Sequence, residues 1–142
     1  MKKIYSQLIF LFLLLFCIGM AHCKKAKEVI EQNYVLDLMT NGRWLVQTYT
    51  EDGVDESTIF SPYEFQFVQD GKVFAIDGAS QTQGSWVANA SAQTITSNFP
   101  VVNDTLTKLN DTWKITNSAT TTVEAKPTNS NRLAYLKLIK KP

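Results

Sequence analysis

Residues 63–77 read YEFQFVQDGKVFAID, and the fold class turns on this stretch. Tyr63, Phe65 and Phe67 alternate with Glu64 and Gln66, the period-two pattern of a strand with one buried and one wet face. Asp70-Gly71 then supplies a two-residue hairpin turn, and KVFAID (72–77) answers as the return strand. The texture continues on both sides. RWLVQTY (43–49), GSWVANA (84–90), TITSNF (94–99), TLTKL (105–109), TWKITNS (112–118), TTVEAKP (121–127) and RLAYLKLIK (132–140) read as further strands. Turn residues separate them about every 8 to 12 positions, as in a sandwich or barrel. The expectation is an all-β domain over 41–142. About eight short antiparallel strands with local links form an up-and-down meander, and closing it into a barrel removes the exposed edges.

Upstream of the strands, KKAKEVIEQNYVLDLMT (24–40) lacks Gly and Pro. Val29, Ile30, Tyr34, Leu38 and Met39 fall near helical spacing, and Asn41-Gly42 is a helix stop. A short helix is expected here, packed on the barrel or covering one end of it.

The first residues carry an address. Lys2 and Lys3 precede an apolar run from Leu8 to Ile18. The run is shorter than the roughly 20 residues of a membrane span and has the length of a signal-peptide core. Met20, Ala21, His22 and Cys23 follow, and they resemble the cleavage motif of a bacterial lipoprotein, in which the cysteine becomes the lipidated N-terminus. His22 and Met20 depart from the usual small and aliphatic residues. The resemblance implies a leader over 1–22, lipid attachment at Cys23, and a tether with its short helix over 23–40. Cleavage after Ala21, leaving a free Cys23 thiol, is the competing reading. A lone thiol is out of place in an oxidising compartment; lipidation gives it a use, since two or three acyl chains anchor stably where one does not.

Composition then narrows the function. The leader takes two lysines and no acid with it, so the formal charge of +1 turns slightly negative in residues 23–142. That is no electrostatic footprint for nucleic acid. Lys24, Lys25 and Lys27 form a modest basic patch that reads as a solvated tether. His22, the only histidine, goes with the leader. Histidine-based acid–base catalysis and histidine- or cysteine-ligated zinc go with it, and neither a cofactor nor a metal is expected. Glu51, Asp52, Asp55 and Glu56 offer carboxylates for acid–base work or calcium. Their setting in TEDGVDEST reads as a polar turn, so no catalytic residue is assigned.

Gly42 and Trp44 form a Gly-x-Trp at the entry to the first strand. With YEFQFVQDGKVFAIDG, the later GSW and the final RLAYLKLIKK, the order of motifs resembles the small lipocalin-like domains of Bacteroidetes-type lipoproteins, over residues 40–142. The resemblance implies a barrel whose floor is Gly42 and Trp44, with a basic residue laid over the indole: Arg132, Lys137, Lys140 or Lys141. It implies a small apolar or amphipathic ligand lined by Tyr63, Phe65, Phe67, Trp86, Trp113 and Tyr135. It also implies a place in the cell envelope, anchored in the outer membrane and facing the periplasm, because the residues after Cys23 are basic. The chain is shorter than a full lipocalin and lacks its trailing helix and disulfide. An eight-stranded barrel is just wide enough to hold one small ligand or to be filled by its own side chains. The filled alternative would be a protein-interaction module, its partner unknown.

Overall fold

The computed structural model describes residues 32–142. The expected leader (1–22), Cys23 and the lysines after it lie outside the described residues. A helix, α1, runs over 32–40. Nine strands follow: β1 (Trp44–Glu51), β2 (Val54–Asp55), β3 (Glu64–Phe67), β4 (Lys72–Asp77), β5 (Ser80–Asn89), β6 (Thr94–Asn98), β7 (Asp111–Ala119), β8 (Thr122–Pro127) and β9 (Ala134–Lys140). Apart from β2, a two-residue flap on β1, they form one antiparallel meander in chain order. Pairing of β1 with β9 closes it into an eight-stranded up-and-down barrel. The seam between β1 and β3 is thin, a single pair of Trp44 with Phe65.

Alternation carries the core. In β4 Val73 and Ala75 are buried, in β9 Ala134, Leu136 and Leu138, and in β8 Val123 and Ala125. Covers close both ends. At one end Met39 of α1 is inserted into the core, and Gln32 clasps the end of β5 by donating to the Ala88 carbonyl (2.8 Å) and accepting from Ala90 N–H (2.9 Å). At the other end sit a 3-10 turn (Ser57–Phe60) and a helix, α2 (Asp104–Thr107), which bury Phe60 and Leu106.

Two local expectations are corrected. TLTKL is not a strand. Asn103 caps α2 by accepting from Leu106 N–H at 3.1 Å, and Leu106 and Leu109, three residues apart, share the buried face. Helical spacing outweighs the strand preference of Thr105 and Thr107. The Asp70-Gly71 hairpin is also one residue longer than expected. Gly71 N–H donates to Val68 O (3.1 Å) and Val68 N–H to Lys72 O (2.8 Å), and Gly71 has φ +84°. This is the three-residue loop in which a turn ends on a left-handed glycine.

Candidate functional site

Inside the barrel lies a cavity of about 40 Å³. Met39 bounds it on the α1 side; Phe65, Phe67, Val73, Ile95, Leu136 and Leu138 form its walls, and Trp113 and Leu109 lie toward the α2 end. Ser97 is the one polar side chain in the lining, and its hydroxyl already donates to the Leu109 carbonyl. Ile115 faces inward in step with Trp113 and lines the cavity, yet it is only half-buried. It stands beside a bulge in β7, between Ile115 and Asn117, and marks where the cavity approaches solvent.

The residues expected to line a ligand divide. Phe65, Phe67 and Trp113 do face the cavity. Trp86 is buried but packs edge-on against Phe67, ring centres 5.1 Å apart, and donates its indole N–H to Val68 O at 2.9 Å. Tyr63 is half-buried behind Phe65, and its hydroxyl accepts from Asn103 Nδ2 at 2.8 Å. Tyr135 is a correction: its neighbours Ala134 and Leu136 point inward, so it stands on the outer wall. Partial burial and a hydrogen bond to Glu124 raise its pKa. Choosing by aromatic type missed Leu136 and Leu138, which the alternation in LAYLKLIK would have found.

Trp44 is fully buried, and its indole N–H donates to Met39 O at 2.9 Å, which ties α1 to the barrel. Of the four basic candidates, Lys140 lies over its ring, 5.3 Å from the centroid. Gly42 has φ +92°, a conformation that L side chains rarely adopt. Arg132 covers a different indole, Trp113, also at 5.3 Å.

Arg132 also centres a charged cluster at the α2 end. Its Nε donates to Glu51 (2.9 Å), one terminal nitrogen to Asp111 (2.9 Å), and the other to the Tyr49 hydroxyl (2.8 Å) and the Lys108 carbonyl (2.6 Å). Lys108 Nζ bridges Glu51 (3.1 Å) and Glu56 (2.8 Å). Glu51 is thus not part of a free polar turn. Burial works to raise its pKa, but hydrogen bonds from Arg132, Lys108 and Tyr49 outweigh burial and hold the carboxyl below its usual range. It is ionised at neutral pH and unsuited to donate a proton. Burial, then the bond to Glu51, push the Tyr49 phenol up to about 12. Asp55 instead accepts from Ser57 N–H and shapes a turn. Among the described residues no group of three or more His, Cys, Asp or Glu is arranged to hold a metal ion, and no helix is long and apolar enough to cross a membrane.

A scan against protein families finds no match, and neither does a search of curated proteins. Among solved structures, the chain is similar to the crystal structure of a DUF4847 family protein from Bacteroides vulgatus ATCC 8482, with a TM-score of 0.54 and 14% identity, over 76% of this chain and 99% of that one. At that identity the likeness shows a shared small-barrel fold.

Proposed function

We propose that this chain is a non-enzymatic binding module of the bacterial cell envelope, lipocalin-like in build and lipid-anchored at Cys23 in the outer membrane, facing the periplasm. Its barrel takes a slim apolar or amphipathic molecule, such as a single acyl chain, by way of Ile115. The carrying observation is the cavity, whose lining is apolar but for an already bonded Ser97. Such a lining offers no partner to a buried polar group, so any head group must stay outside. Trp44 under Lys140 at one end of a closed meander supports the lipocalin likeness.

Volume sets the terms of entry. About 40 Å³ is well short of the roughly 150 Å³ that holds benzene. Occupancy therefore requires a side chain to yield, and Met39, unbranched and adaptable, is placed to do so. Titration with palmitate, followed by tryptophan fluorescence, tests the reading. A saturable change that Ile115→Arg abolishes is expected; an unchanged spectrum overturns it. Cys23→Ser, with membrane and soluble fractions compared, tests the anchor.

The same small volume and the covers at both ends favour a second reading, a filled barrel serving as a protein-interaction module. A clean apo mass after incubation with palmitate, together with a protein partner lost on mutation of the 50–62 loop, would select it.

A further inference from the structure

The charges on this barrel are sorted along its axis. At the α2 end Asp52, Asp55, Asp77 and Asp104 join the cluster of Glu51, Glu56 and Asp111, against Lys108, Arg132 and the exposed Lys126, which stands one residue before the end of β8. The α1 end is the reverse. Arg43, Lys72, Lys140 and Lys141 gather where β1 and β4 begin and β9 ends, and Lys114 reaches the turn at 90–93 through the Ala92 carbonyl. The acids there are Asp37, Glu64, Asp70 and Glu124, the last facing Lys137 at 3.8 Å. Glu64 is shared by Arg43 and Lys141, and Asp70 is paired with Lys72. Lys114 and Lys140 have no carboxylate partner among the described residues; they rest on a carbonyl and on the Trp44 face.

We propose that the basic α1 end is a docking face for an anionic lipid surface, holding the barrel upright with its acidic end away from the membrane. Three observations converge. The charge is complementary to anionic head groups, which attract basic residues within about a Debye length. The acidic end is repelled by the same surface, so the two ends together fix a direction. The chain also enters the barrel at this end: Cys23, the proposed anchor, is nine positions before Gln32. The bulge beside Ile115 lies in the half of β7 that runs toward this end. A molecule leaving the bilayer would therefore meet the cavity without crossing the acidic end. In this last respect the inference rests on the proposed ligand binding, and in the place of Cys23 on the proposed anchor; the sorting of charge rests on neither.

Hydrogen exchange read by mass spectrometry tests it. The full chain is used as the cell delivers it. A lipidated form is reconstituted into vesicles, and a free form is mixed with them. The vesicles are pure phosphatidylcholine or a 7:3 mixture with phosphatidylglycerol. On the anionic vesicles the turns at 68–71, 90–93 and 120–121 should exchange several-fold more slowly than on the neutral ones, with the loops at 78–79 and 128–131 unchanged. High salt, or Lys114→Glu with Lys141→Glu, should erase the difference. Equal exchange on both vesicles, or protection of the α2-end loops, overturns the docking face. Palmitate titration of the same sample is scored separately, so a barrel that binds palmitate but shows no oriented protection sinks only this inference.

Discussion

Trp44 joins three structures with one side chain. Its ring is sealed in the core, its N–H ties down α1, and Lys140 of the last strand lies on its face. Trp44→Ala should cost about 3 to 5 kcal/mol, the range for emptying a buried aromatic site, while Lys140→Gln should cost about 0.5 to 2 kcal/mol, the worth of a cation on an indole. Urea unfolding of both variants measures the ratio; a near-zero effect of Trp44→Ala would remove the indole from the floor. Gly84 is a second residue under constraint. A Cβ there would lie 2.6 Å from the Asn98 carbonyl oxygen and 2.8 Å from the Phe99 ring. The carbonyl belongs to the β5–β6 ladder and has little freedom to move. Gly84→Ala should therefore destabilise by about 1 to 3 kcal/mol, the range for overpacking, although alanine normally stabilises relative to glycine within an element. Thermal melting gives the sign directly.

At the scale of the element, what was legible followed periodicity. KVFAID is β4 to the residue, and LAYLKLIK buries every second side chain as β9. GASQTQ (78–83) is small and polar and shows no strand alternation, yet Ser80–Gln83 pair with β4. Hydrogen bonding to an existing strand defines that segment, and no pattern of its own side chains announces it. α2 was hidden for another reason: threonine favours strands, and four residues are too few to display a helical period. Its determinant is one cap. Asn103 accepts from Leu106 N–H and donates to the Tyr63 hydroxyl, pinning α2 to the approach to β3. Asn103→Ala should cost about 0.5 to 2 kcal/mol, read from the urea midpoint. Phe65, Phe67 and Trp113 were legible as inward-facing, but the cavity among them was not, because a void is a property of packing around a closed sheet. The Arg132 cluster was equally hidden, since it gathers residues from β1, the segment after α2, β7 and the loop before β9.

That cluster acts on the whole molecule, because it fastens together the two chain segments that close the barrel. It also makes stability depend on pH at both extremes. The Glu51 carboxyl is held below its usual value in the folded state. Its contribution is therefore complete above the unfolded value, near 4.5, and is lost as pH falls through the lower folded value. Tyr49 is the opposite case, with its phenol raised from 10.0 to about 12. The protonated form is the one that folding favours, so its contribution is complete below pH 10 and is lost between about 10 and 12. Lys108, raised from 10.5 to about 12 by Glu56 and Glu51, loses its contribution in the same alkaline window. Urea midpoints across pH should therefore be flat through neutrality and fall on both sides. Glu51→Gln should lower the neutral plateau by about 1.5 to 3 kcal/mol, the worth of hydrogen bonds to a charged group, and flatten the acid limb. Tyr49→Phe should shallow the alkaline limb without removing it, since Lys108 still titrates there. An alkaline limb unchanged in Tyr49→Phe, or tyrosinate absorbance in which every phenol titrates near pH 10, would mean that Tyr49 is not held protonated by the cluster.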